Sequence, residues 1–407
     1  MKKNVLPKEL VKEIKASDCI LFAGSGVTTE NYSKHTFLDH VKKECNYPKK
    51  IKKQSFPDVM QYYCQKLDGN RKNKLIREII EWIVPFSAEG EPNRFATDFF
   101  REIARIPFFR TIVTTNWDPF CERTMNVLVP MVEDQDIPFW DDNDRHVLKI
   151  HGCVTRPHTI VATLDDYDKC MKDKSRGAIF TKLRDLMATK TFVFVGYSAN
   201  DLDFKFIYDE IIDNLGSFRR SAYVVDPKPS EDSIKDWETR GVKIIKMSGL
   251  VFARELNKDL EQDKLIPSEE LIDHFEKQLY RIIDIHMRTS DKQEVIGGFS
   301  SSMYQDGLIH SLEHLIAGSK TGISMKDITE QLNNHEKTLA NYWKAMIRNG
   351  KKPHSDKPNY DAVEVAYWSG RVKALKHFVS HNKKDIPAYF SPYILKPRSK
   401  MASLNNI

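Results

Sequence analysis

The chain has 407 residues, more than one domain usually holds, so two domains are expected, or one with large insertions. Hydrophobic residues make up 41% and charged residues 29%, the balance of a globular protein in water. The apolar runs, Phe192–Val195 among them, are of strand length and far short of a membrane span, which argues against a membrane-spanning protein.

Net charge is +6 but unevenly spread, with 14 Lys and Arg against 5 Asp and Glu from Gln331 to Ile407. A basic end on a mildly acidic body suits an acidic partner, protein or nucleic acid, and equally a solvated surface. The opening MKKNVLPKEL carries no apolar run of signal-peptide length, so a cytoplasmic protein is expected. The six cysteines form no C-x-x-C pair and no disulfide framework, and read as small apolar fillers.

In chain order, Cys19–Ala23 is β-branched and apolar and leads into glycines, as a buried strand would. Residues 31–110 hold no obvious strand and read as a helical insertion. Within it Lys74–Ile83 gathers Leu75, Ile79, Trp82 and Ile83 on one side, and Thr97–Ile106 behaves similarly. Strands are predicted at Thr111–Thr114, Val147–Ile150, Thr159–Ala162, Phe192–Val195, Ala222–Val225 and Val242–Ile245, with a helix over Ile179–Met187. Most lack strict alternation, which fits strands covered on both faces. Strands alternating with helices imply an α/β, Rossmann-like, doubly wound parallel sheet. From about Pro267 the pattern turns helical: Glu269–Met287, Ser301–Ala317 and Met325–Asn349. The expected organisation is an α/β domain over 1–287, a linker over 288–302 containing Gly297-Gly298, and a basic helical domain over 303–407 for oligomerisation or partner binding. Lys351–Asn359 reads as a further loop.

Five motifs carry chemistry, each following a predicted strand. In Phe22-Ala-Gly-Ser-Gly-Val-Thr28 the glycines admit positive φ and let backbone N–H groups approach a diphosphate; a ligand-free tight turn is the plain alternative. Thr114-Thr-Asn-Trp-Asp118 sets Asn116 and Asp118 two residues apart, sharing one face if extended; a turn is again the alternative. Lys149-Ile-His-Gly152 puts at a strand end a histidine that could act as general base. Phe194-Val-Gly-Tyr-Ser-Ala-Asn-Asp201 reads as a strand followed by a glycine turn with a hydroxyl and a carboxylate. Tyr223-Val-Val-Asp226 ends a strand with an acid of the kind that accepts from ribose hydroxyls.

In this order the five motifs resemble the sirtuin superfamily, over roughly residues 18–250. The counterparts of its glycine loop, its T-Q-N-x-D segment, its catalytic H-G and its G-T-S turn are Ala23–Thr28, Thr114–Asp118, His151-Gly152 and Gly196–Ser198. The paired cysteines of the deacylase zinc module are missing, since only Cys153 and Cys170 follow the H-G, so no zinc or other metal is expected. The family's P-D-F-R stretch is replaced by Val27-Thr-Thr-Glu-Asn-Tyr32. The variants resemble SIR2-like effectors of bacterial anti-phage defence that consume NAD. The resemblance implies an NAD+ glycohydrolase with water as acceptor. It implies Asn116, His151 and Asp118 as catalytic residues, and Ala23, Gly24, Ser25, Gly26, Thr28, Thr115, Gly196, Ser198 and Asp226 around NAD. It further implies a homo-oligomer or a HerA-like ATPase partner. A deacylase or ADP-ribosyltransferase, and a non-catalytic NAD or ADP-ribose sensor, are the alternatives.

Two patterns in the helical part point elsewhere. His310-Ser-Leu-Glu-His314 matches an inverted zinc-peptidase motif, but Leu308, Leu312 and Leu315 supply an ordinary core stripe. Thr321–Leu332 followed by Thr338–Arg348 has the rhythm of a helix-turn-helix, with helical oligomerisation as the preferred reading.

Overall fold

Six short runs dominated by Val, Ile, Phe, Thr and Ala form one parallel sheet, in a computed structural model that describes residues 6–29, 37–48, 55–66, 71–83, 98–172, 177–197, 208, 219–290, 296–350 and 360–390. The strands are β1 (Cys19–Ala23), β2 (Thr111–Thr114), β3 (His146–Lys149), β4 (Thr191–Val195), β5 (Ala222–Val225) and β6 (Val242–Ile245). Their order in space is β3-β2-β1-β4-β5-β6. The chain therefore winds outward from β1 in one direction, returns to its centre, and winds outward in the other. Ligands of such sheets settle at the carboxyl edge, where the winding reverses, here between β1 and β4.

Every residue of β1 to β5 is buried, while β6, at one edge, is buried only at its ends, with Lys243 exposed and Ile244 half-buried. That explains the weak alternation in the sequence: strands covered on both faces favour apolar or neutral side chains, with Lys149 of β3 as the charged exception. Ile20, Phe22, Val113, Leu148, Phe192, Phe194 and Val224 join Leu183 and Leu186 of the helix Gly177–Thr189 in one core.

Among its described residues the 31–110 segment holds the helices Phe37–Glu44, Phe56–Lys66, Arg71–Ile83 and Asp98–Ala104. It has its own apolar centre of Val41, Val59, Met60, Tyr63, Leu75 and Ile79, and this centre also takes Ile160 and Ala162. Here one expectation fails. Thr159–Ala162 is not a strand: Pro157–Thr159 is a short 3-10 turn and the run continues as irregular backbone. Ile160 and Ala162 are buried against the insertion while Val161 packs into the core of the sheet, so burial, not sheet pairing, accounts for their apolar character.

The fold divides at Lys258/Asp259, so the boundary lies upstream of the 288–302 segment expected to separate two domains. The reason is packing: Leu271, Phe275 and Ile282 of the helix Glu269–Ser290 belong to the core of the helical unit. The expected linker is itself helical at both ends, since Glu269–Ser290 runs into it and Ile296–Thr321 begins inside it; residues 291–295 lie outside the described residues. The helical unit is completed by Met325–Gly350 and Tyr360–Val379, around Leu308, Leu312, Leu315, Ala374, Leu375 and Phe378. The two halves of the helix-turn-helix-like pattern fall largely on the single unbroken helix Met325–Gly350. Asn333-Asn-His-Glu-Lys337 contains no glycine or proline to break it. His310 meets the Tyr367 hydroxyl at 2.9 Å, beside the buried leucine stripe. Lys351–Asn359 lies outside the described residues. No helix among the described residues is long and apolar enough to cross a membrane.

Candidate active site

Four of the six strands, β1, β2, β3 and β4, end in loops that are bound to one another at the carboxyl edge. The β1 and β4 loops interlock through backbone. Gly24 N donates to Val195 O at 2.8 Å and Gly26 N to Gly196 O at 3.1 Å. Gly196 has φ +76, the left-handed region that favours glycine. A Cβ on Gly24 would stand 2.5 Å from Gly196 O, and one on Gly26 would stand 2.8 Å from Gly196 Cα. These glycines are thus required first of all for two loops to touch. Their N–H groups are engaged by the β4 loop, so they shape a cradle in preference to donating to a diphosphate.

The β2 loop is tied to both. Thr114 Oγ1 donates to Ala23 O at 2.8 Å and accepts from Asn116 N at 3.0 Å, which turns the chain as it leaves the strand. Asn116 Nδ2 donates to Gly24 O at 3.3 Å, and Thr115 Oγ1 meets the Tyr197 hydroxyl at 2.7 Å. The Tyr197 ring stands edge-on to Phe22, at 5.0 Å, which fixes it as a wall on this side.

His151 leaves β3 beside Asn116. Thr114 of β2 pairs with Lys149 of β3, so Asn116 and His151, each two residues farther on, depart neighbouring strands at the same level of the same edge. Both are nearly buried, at 7% and 6% exposure. Ile150 N donates to Thr114 O at 3.1 Å, holding the two exits parallel. The Tyr167 ring meets the imidazole edge-on at 4.9 Å, its hydroxyl 3.5 Å from Nδ1 at the outer limit of a hydrogen bond. Gly152 then reverses the chain at φ +85, against Thr159 O.

Beneath these loops is a buried set of charges. Lys149 Nζ donates to Asp118 O at 2.5 Å and to both carboxylate oxygens of Glu122 at 3.0 and 3.1 Å. Asp118 Oδ1 accepts from Phe120 N at 3.1 Å, at the start of the helix Phe120–Thr124. Burial pushes the Asp118 carboxyl up to about 6, against the opposing pull of the Lys149 ammonium. The two Asp/Asn side chains of the motif therefore have different surroundings: Asn116 faces the glycine loop, and Asp118 faces a helix end and a lysine.

Residues 110–245 match the SIR2-like domain family. That span holds β2 to β6, and with them Asn116, Asp118, His151 and Asp226. Three curated relatives carry the name NAD(+) hydrolase ThsA. The protein from Bacillus cereus (strain MSX-D12) is 29% identical over 240 residues, 57% of this chain and 46% of the relative. Those from Cytobacillus dafuensis and Enterococcus faecium are each 27% identical, over 54% and 58% of this chain and 43% and 49% of their own length. The chain thus spans about half the length of the curated relatives it matches.

Within the matched region and the strand before it, the structure brings together Ala23, Gly24, Gly26, Thr115, Asn116 and Gly196 through direct bonds, and sets His151 beside them. Ser25 is exposed at the tip of the β1 loop. Thr28 lies on the short helix Gly26–Thr29, and Ser198 lies outside the described residues. Asp226 ends β5, on the same edge but beyond β4, its Oδ1 accepting from Lys228 N at 2.9 Å. Sequence reasoning missed Tyr167, Tyr197, Glu122 and Lys149. Tyr197 stood inside a motif already singled out. Lys149 preceded the His-Gly by two residues in an otherwise apolar strand, and a lysine at a buried strand position calls for a buried acid partner.

Proposed function

We propose that residues 1–258 bind NAD+ along the carboxyl edge of the sheet and hydrolyse its nicotinamide–ribose bond, giving nicotinamide, ADP-ribose and a proton. The observation that carries this reading is the shared register of Asn116 and His151 on adjacent strands, beside the interlocked glycine loops. The names of the relatives support it independently.

The leaving nicotinamide departs as a neutral base while positive charge builds on the ribose, so the site must orient the sugar, hold nicotinamide twisted away, and offer water to C1′. With Nδ2 held by the Gly24 carbonyl, the Asn116 carboxamide presents Oδ1 as an acceptor for the ribose or the attacking water. His151, steadied by Tyr167, takes the proton from a ribose hydroxyl or from that water. The loops bearing Ala23, Gly24, Ser25, Gly26, Thr28, Thr115, Gly196 and Ser198 enclose the diphosphate and its riboses, and Asp226 takes the adenosine ribose. Asp118 is assigned to the nicotinamide carboxamide; its approach to the helix end and to Lys149 favours support of the loop over direct contact.

The same reading assigns the protein to the cytoplasm and to anti-phage defence by NAD depletion. It makes the helical unit an oligomerisation or partner-binding part, with a HerA-like ATPase as candidate partner. The test is to incubate the full chain with NAD+, alone and with that ATPase, and to quantify nicotinamide and ADP-ribose by chromatography. Release that disappears in His151→Ala and Asn116→Ala supports hydrolysis at this site. Equal turnover by the variants and the parent refutes the assignment. Acetyl-ADP-ribose formed with an acetylated peptide would identify a deacylase, and tight NAD binding with no nicotinamide release in either mixture would identify a sensor.

A further inference from the structure

Glu122 grips both flanks of His151. Its carboxylate accepts from Lys149 Nζ, two residues before the histidine, at 3.0 and 3.1 Å, and from Cys153 Sγ, two residues after it, at 3.7 Å. The same ammonium reaches across to Asp118 O, two residues after Asn116, at 2.5 Å. The Lys149 side chain is wholly buried and that of Glu122 nearly so, at 0% and 6% exposure. We propose that Lys149 and Glu122 are positioning residues, a buried clamp that sets the His151 loop at a fixed distance from the Asn116 loop. The proposal rests on the reading of the site given above.

A buried ion pair pays to leave water, and well-packed apolar residues of similar size are often at least as stabilising. Directional bonds are what the ion pair supplies and a pair of leucines cannot. An ammonium has three donors and a carboxylate can accept several bonds. Here the donors are divided between Asp118 O and the two Glu122 oxygens, so the separation of the two loops is set by bond lengths instead of by loose packing. The partners also sit where such control matters. Lys149 ends β3, Asp118 follows Asn116, and Glu122 lies in the helix Phe120–Thr124 that continues that loop. Misplacement of reacting groups by about 1 Å can cost on the order of a hundredfold in rate.

The test replaces the clamp with an apolar pair. The double variant Lys149→Met with Glu122→Leu is expected to keep the parent's melting temperature. Its kcat for nicotinamide release should fall about tenfold or more, with little change in KM for NAD+. A second arm reads geometry without chemistry: the 1H–13C signal of the His151 imidazole, assigned by its loss in His151→Gln, should shift or broaden in the double variant. If the double variant does not fold, Glu122→Gln, which preserves size, is read by the same two measurements, with the same expectation. A folded variant that retains both the parent's kcat and its His151 signal overturns the proposal. Should the parent release no nicotinamide in any mixture, the catalytic reading fails while the imidazole signal still decides whether the clamp positions His151.

Discussion

The two halves of the site are built by different means. The loops after β1 and β4 are joined by backbone bonds between glycines, with a Tyr197 ring as wall. The loops after β2 and β3 are joined chiefly by side chains, with a buried lysine between a glutamate and a backbone carbonyl. A glycine interlock has no charge and no titration, and fails only when atoms are added. A buried charge clamp depends on directional bonds and fails on loss of either partner. The first half is insensitive to its solvent and the second is not.

The sharpest break in this comparison would come from the two side chains proposed to act on NAD+. His151→Ala and Asn116→Ala should each lower nicotinamide release by about 10²–10⁴-fold while melting close to the parent, measured by chromatography and calorimetry. Next in size is Gly24→Ala, whose Cβ would meet Gly196 O at 2.5 Å. Overpacking of this kind should cost about 1–3 kcal/mol in chemical unfolding, and release should fall with it. Gly177→Ala, with open space around its Cβ, should leave both unchanged.

The charged half should be exposed by pH. Asp118 titrates near 6 in the folded protein, above its ordinary 3.8, so the folded state holds the proton more tightly. Its contribution to stability is full below the lower value and is lost as pH rises through about 6. Asp118→Asn can keep the bond from Phe120 N without a charge. Its melting temperature relative to the parent should therefore rise between pH 4 and 6.5, whereas the deficit of Gly24→Ala should stay level over that range. A flat difference for Asp118→Asn would remove the distinction between the halves. The smallest effect belongs to Tyr197→Phe, which loses the 2.7 Å bond to Thr115 and should cost about 0.5–1.5 kcal/mol by denaturant titration.

The contrast also explains what could be read from the chain. Strand runs with glycines behind them announced the sheet, its parallel character and the β1–β4 half, because glycine at a turn has few other uses. Asn116 and His151 stood out because each lies just past a strand end. Thr159–Ala162 was misread because burial against a second core leaves the same apolar signature as burial in a sheet. The end of the α/β unit was misplaced because the stripe of Glu269–Ser290 says that the helix packs, not with what. The Lys149–Glu122 clamp joins residues far apart in the chain, and a lone lysine or glutamate carries no mark of its partner. Tyr167 was missed for the same reason.

The central strand has a consequence for how the protein is made. β1 pairs on one side with β2, from Leu21↔Ile112, and on the other with β4, from Cys19↔Thr191. Its neighbours are synthesised long after it, and at ordinary ribosomal speeds of about 5–20 residues per second the second one emerges roughly ten seconds or more later. Until β2 and then β4 emerge, Cys19-Ile-Leu-Phe-Ala23, fully covered in the finished sheet, lacks the two strands that flank it there. The strand at the middle of the sheet is made first and must wait for both of its neighbours.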